Sequence, residues 1–127
     1  MIIDAQLLDE VKKKAAESPR LRANFCLHKS PDDKVQKMIN ILLPGTEMPI
    51  HCHHNSDETL VVLKGKITIV YFDNEGVETE RYLLNHSMPA IDIPMNQWHN
   101  IIVKEPAALL EIKEGPYRPL SSEEVKM

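Results

Sequence analysis

The sequence predicts an all-β sandwich or barrel preceded by one short N-terminal helix. Three observations carry that prediction. About eight or nine short runs rich in apolar and β-branched residues follow residue 19. Turn signals separate them at close intervals, among them Pro44-Gly45, Lys64-Gly65-Lys66 and Asp73-Asn74-Glu75-Gly76. Helical periodicity occurs once, at the N-terminus. With 127 residues the chain fits a single domain, and a chain of this size buries about two-thirds of its unfolded surface. Hydrophobic residues make up 43% but aromatics only 5%, so the core must be built from Ile, Leu, Val and Met.

The helix comes first. Asp4 can cap it, Leu7, Leu8, Val11 and Ala15 recur at helical spacing, and Ser18-Pro19 stops it. Lys12, Lys13 and Lys14 lie mostly on the opposite, solvated face. A first strand ends near His28, and the later runs fall at residues 35–43, 48–54, 58–63, 67–72, 77–84, 90–93, 98–103 and 107–113. The expected organisation is a helix over residues 1–18, a β domain over 19–119 and a flexible tail over 120–127. Two runs, Ile39-Asn40-Ile41-Leu42-Leu43 and Ile67 to Tyr71, are apolar on both faces. That pattern calls for a second covering layer, and a homodimer partner would supply one.

Charge narrows the partners. Fifteen basic against nineteen acidic side chains leave −4, without the basic footprint of a nucleic-acid binder. No apolar run approaches the 18 or so residues of a membrane span. The N-terminus lacks a basic n-region and a continuous apolar stretch, so a cytoplasmic protein is expected. In a reducing compartment Cys26 and Cys52 are expected to be free thiols. The distinctive residue is histidine: His51, His53 and His54 fall within four of the chain's positions.

On an extended strand His51 and His53 point to one face, with Cα atoms about 7 Å apart, so two imidazoles can converge on an ion. Cys52 and His54 take the other parity and should face away. Asn55-Ser56-Asp57 turns the chain, and the next strand begins with Glu58, which can add a carboxylate oxygen. His99, at the end of the turn Pro94-Met95-Asn96-Gln97-Trp98, is the best fourth donor. Three imidazoles and one carboxylate suit Fe, Mn, Ni, Co, Zn or Cu as a single divalent transition-metal ion. A six-coordinate ion held this way keeps two open positions, whereas tetrahedral zinc would be closed by the same four donors.

The stretch from Gly45 to Gly65 matches the first cupin motif, G-x5-H-x-H-x4-E-x6-G, at every defined position. The second motif, G-x5-P-x-G-x2-H-x3-N, is matched at Pro94 and His99, while Met88, Asn96 and Val103 replace its Gly, Gly and Asn. Asn tolerates left-handed backbone better than most residues, so Asn96 is a mild departure. A narrower resemblance runs along nearly the whole chain. Through Arg22-Ala23-Asn24, His28, Gln36, Met38, Asn40, Trp98-His99 and Glu111 to Tyr117 the sequence resembles the WbuC family of cupin-fold metalloproteins. These are small bacterial proteins, some encoded among surface-polysaccharide biosynthesis genes. The resemblance implies a cupin double-stranded β-helix, a jelly-roll sandwich with one bound metal, and it supplies no reaction.

Around the ion, His28, Lys113 and Tyr117 are candidate catalytic proton carriers, and Arg22, Asn24, Gln36 and Glu111 are candidate substrate-binding residues. Each has a plainer reading. His28 can be a satisfied structural histidine, Arg22 and Asn24 a solvated edge strand, and Tyr117 a packing residue. Gln36 shares strand parity with Met38 and Asn40. Glu111 and Lys113 share a face with Leu109 and Ala107: turned inward they are an ionisable pair near the metal, turned outward a surface bridge. His86, in a turn, is expected to be solvated. Two functions follow. One is a metal-dependent oxygenase or isomerase acting on a small polar molecule such as a sugar or sugar nucleotide; the other is a metal-anchored binding or sensing module without turnover.

Overall fold

The computed structural model describes residues 1–126. One helix, α1 (Ala5–Glu17), precedes ten strands: β1 (Arg22–Cys26), β2 (Val35–Leu42), β3 (Ile50–His51), β4 (Glu58–Lys64), β5 (Ile67–Phe72), β6 (Glu78–Leu84), β7 (Ala90–Ile93), β8 (Trp98–Ile102), β9 (Ala107–Glu114) and β10 (Val125–Lys126). Asp4 caps the helix, its carboxylate accepting from the Leu7 amide at 3.0 Å. The strands form two antiparallel five-stranded sheets, ordered β1-β2-β9-β4-β7 and β10-β3-β8-β5-β6. This is the expected sandwich, with its short helix outside.

Between the sheets lies the larger apolar cluster, including Leu42, Leu60, Ile67, Ile69, Ile93, Ile101 and Leu109. Strand alternation sends Ile39 and Ile41 to the opposite face of β2. There they pack on Val11, Ala15, Leu43 and Ala108. The covering layer that the double-faced run called for is therefore α1 at β2. A partner chain is not required to explain that burial.

The segment expected as a flexible tail departs from expectation. Residues 122–124 form one turn of 3-10 helix, and β10 pairs with β3, Val125 opposite His51. Ser121 and Glu124 form a capping box, the Glu124 carboxylate accepting from the Ser121 amide at 3.0 Å. Its other oxygen accepts from the His54 amide at 2.8 Å. These bonds hold Glu124 well below the carboxylate range, at about 2. A depressed carboxyl stabilises the docked segment above its unfolded value near 4.5, and that contribution is lost as pH falls toward 2. Lys126 lies over the ring of Trp98, 4.3 Å from its centroid, and Trp98 is the single tryptophan. Tryptophan emission should therefore shift to the red in Glu124→Gln at neutral pH and in the wild type on acidification. An unshifted spectrum in both would contradict the docking. Met127, the last residue of the expected tail, lies outside the described residues.

One glycine of the first motif is required by geometry. Gly65 turns the chain between β4 and β5 with φ +81°, and a Cβ there would run into the Pro106 carbonyl oxygen. Gly65→Ala should cost about 2 kcal/mol or more, read from urea unfolding.

Candidate metal centre

The site is assembled from both sheets. His51 ends β3 and is paired directly with His99 on β8, so both rings share the inner face, with centroids 4.3 Å apart. Glu58 opens β4 in the opposite sheet. His53 arrives differently from expectation: β3 stops at His51, and His53 stands in the irregular segment that follows, just before the bend at His54 and Asn55. Its ring is nevertheless 5.4 Å from that of His51 and 6.1 Å from that of His99. The His53 carbonyl accepts from the Asn96 amide at 2.8 Å, and the Asp57 carboxylate accepts from the Met95 amide at 2.8 Å. These bonds stitch the irregular segment that carries His53 to the turn that precedes His99. Asn96 adopts φ 68°, the left-handed conformation that the motif's glycine would supply.

One nitrogen from each of His51, His53 and His99 lies within 4.8 Å of the others. Outer contacts fix two of the rings. A carbonyl can only accept, so Nδ1–H of His51 donates to Pro49 at 2.9 Å and Nδ1–H of His99 donates to Gln97 at 2.9 Å. Each Nε2 is left as a bare lone pair, the state a metal ligand needs. The Glu58 oxygens lie 3.2 Å from His53 Nε2 and 3.5 Å from His99 Nε2. Neither approach has hydrogen-bond alignment, and both Nε2 atoms are buried without a hydrogen-bond partner. Buried polar atoms are rarely left so.

Electrostatics favour the same state at His51. Burial, followed by the neighbouring His99, lowers the His51 imidazole to about 4, so at neutral pH it is uncharged. Burial alone would raise the Glu58 carboxyl, but contact with His53 and His99 outweighs it and holds the group well below the usual carboxylate range. Three imidazoles and a carboxylate form a mixed N/O donor set. The three-histidine group can hold a divalent metal, and the donors do not select which one.

A cavity of about 400 Å³ lies beside the cluster. Among its lining residues are Arg22, Asn24, Glu111, Lys113 and Tyr117, all expected at the site. The imidazoles do not line it; Lys113 and Tyr117 also border a smaller hollow on the His53 side. Register sets Lys113 opposite Glu58 and Glu111 opposite Leu60, so β9 leads from the cavity toward the histidines. Glu111 accepts from Asn40 Nδ2 at 3.0 Å and lies 3.3 Å from Lys113 Nζ. Burial, with the charge of Glu58, raises the Glu111 carboxyl. The Glu111–Lys113 pair thus faces inward.

Two expected site residues lie elsewhere. His28 stands beyond the end of β1, where strand parity lapses, and borders a separate surface hollow with Lys29 and Lys37. Its Nδ1 sits 2.9 Å from the Lys37 carbonyl oxygen. The structure places it at the end of the β1–β2 hairpin. Gln36 has the expected parity but does not line the cavity; its amide donates to the Asp33 carbonyl at 2.8 Å. His54 donates to Asn96 Oδ1 at 2.6 Å, His86 is exposed, and both cysteines are free. Arg20 and Ser18, which also line the cavity, were not anticipated; alternation with Arg22 was the available signal for Arg20.

The family model described as a domain of unknown function (DUF6016) matches residues 3–84. No curated protein matches the chain. Among solved structures, the capsular polysaccharide assembling protein CapF from Staphylococcus aureus is similar at 25% identity, TM-score 0.66, over 80% of this chain and 28% of that one. Oxalate decarboxylase of Bacillus subtilis, described with Mn(II) centres, is similar at 19% identity, TM-score 0.56, over 68% and 23%. TT1209 from Thermus thermophilus is similar at 23% identity, TM-score 0.65, over 89% and 95%. This chain thus spans about a quarter of the length of the first two. CapF and oxalate decarboxylase are cupins, and the fold here is that of the cupin superfamily. No helix among the described residues is long and apolar enough to cross a membrane.

Proposed function

The chain belongs to the family described as a domain of unknown function (DUF6016), and we propose that it is a metal-dependent cupin acting on or binding a small polar, sugar-like ligand. His51, His53, His99 and Glu58 hold one divalent transition-metal ion in this reading. The observation that carries it is the pair of buried Nε2 atoms on His53 and His99, aimed at the same carboxylate without hydrogen bonds. A bound divalent ion supplies Lewis acidity toward ligand oxygens.

The chain's own residues supply the rest. Pro49 and Gln97 orient His51 and His99 through their Nδ1 protons. Glu111, raised by burial and steadied by Asn40, can hold a proton in the cavity. Lys113 beside it can balance charge or pass a proton on, and Tyr117 stands exposed at the mouth.

Likeness to CapF, a capsular polysaccharide assembling protein, supports a role in surface-polysaccharide biosynthesis. A structure of CapF with the inhibitor 3-isopropenyl-tropolone, at 26% identity, supports a small-molecule ligand. The WbuC-type likeness and a homodimer belong to the same proposal.

A screen of metal-loaded and chelated protein against sugar nucleotides and small diols tests it. Binding or turnover that requires the metal is expected. Equal behaviour of loaded and chelated protein would leave the ion without a functional role. Metal-dependent binding without turnover would favour the sensing module.

A further inference from the structure

The cavity is cationic although the chain is acidic. Arg20, Arg22 and Lys113 line it against a single carboxylate, Glu111, while the whole chain carries −4. Lys113 is engaged by Glu111. The two arginines are not so engaged: among the described residues neither forms an ion pair. They stand close enough that repulsion from Arg20 adds to burial in lowering the Arg22 guanidinium.

Arg22 is also fixed in place. Its Nη1 donates to the Glu47 carbonyl at 2.8 Å and to Thr46 Oγ1 at 3.3 Å. Thr46 in turn donates to the Arg20 carbonyl at 2.7 Å. One edge of the guanidinium is thereby spent on positioning, and Nε and Nη2 have no protein acceptor among the described residues. A planar fork of this kind matches phosphate and carboxylate oxygens. Beyond it, Asn24 and Asn40 are directly paired across β1 and β2 and both line the cavity; the Asn24 amide is open to hydroxyl groups, while that of Asn40 donates to Glu111. Arg22 pairs with Leu42 and Lys113 with Gln36, so six residues of β2, about 20 Å, separate the arginine end from the histidine end.

We propose that Arg20 and Arg22 form an anion subsite, binding a phosphate or carboxylate group of an elongated, hydroxyl-bearing ligand whose other end extends toward the histidine cluster. The placing of that other end rests on the metal reading; the anion subsite itself stands on the two arginines.

Calorimetry on the full chain tests the subsite with glucose 6-phosphate, glucuronate and glucose. At least one charged sugar should bind ten times or more tightly than glucose, with an affinity that falls as salt is raised. Which of the two binds separates a phosphate from a carboxylate. Arg22→Lys, which keeps the charge and loses the fork, should weaken the charged sugar at least fivefold. Arg20→Gln, whose side chain holds no backbone group among the described residues, should do the same, with metal content unchanged in both. Glucose binding as well as both charged sugars would overturn the subsite, as would no binding by either or wild-type affinity in both variants. Failure of the metal reading looks different: the chain would take up no ion, while arginine-dependent binding of the charged sugar persists.

Discussion

Replacing His53 with alanine is expected to lower the affinity for a divalent metal at least about 100-fold while the β-sheet circular dichroism persists. Loss of a partner that merely orients a ligand already costs 10- to 100-fold, and His53 is placed to ligate directly. It is also the most exposed donor of the set, at 18% of its side chain, and stands outside a strand. Removing it should therefore spare the fold. Glu58→Ala should lose metal as well, but Glu58 is buried against His53 and His99, so a modest change in stability accompanies the loss. Equilibrium dialysis against a divalent metal reads both. Wild-type affinity in His53→Ala would remove that residue from the ligand set. Joint loss of metal and fold would make the site structural.

Val11→Asp should destabilise the protein by about 3 kcal/mol or more, because it places an unpaired carboxylate where nothing can solvate it. Val11 is 2% exposed and Ala15 is fully enclosed, and both pack on Ile39, Ile41 and Ala108. A melting temperature lower by about 10 °C would follow for a domain of this size. The effect reaches the cavity as well, since α1 leads directly into Ser18 and Arg20 on its wall. Val11→Ala, which removes volume without adding charge, should cost about 1–2 kcal/mol. Equal melting temperatures in Val11→Asp and the wild type would mean that the helix does not cover β2.

The elements legible in the sequence are those set by local rules. Apolar spacing and an aspartate cap fix α1, and turn chemistry brackets β4, β5 and β7 almost to the residue. Where a partner decides the outcome, one chain's pattern falls short. The run at residues 48–54 reads as a strand, yet only Ile50 and His51 are laddered, and His53 reaches the other rings from an irregular segment held by Asn96. Residues 120–127 look polar and loose, although Ser121 and Glu124 spell a capping box, and residues 122–126 are docked. The first strand is expected to end near His28, whereas β1 ends at Cys26 and His28 sits at the hairpin end because its ring pairs with the Lys37 carbonyl. The Glu111–Asn40 contact joins residues 71 apart and needed the sheet order to be seen. His51, His53, Glu58 and His99 were legible because a spaced motif names each of them.

The central claim is that the histidine cluster holds a metal, and a metal titration of the chelated full chain tests it most directly, with bound metal read by elemental analysis at neutral pH. One divalent ion per chain is the predicted result, with affinity at least about 100-fold lower in His53→Ala. A chain that takes up no divalent ion at any concentration that leaves it folded would contradict it.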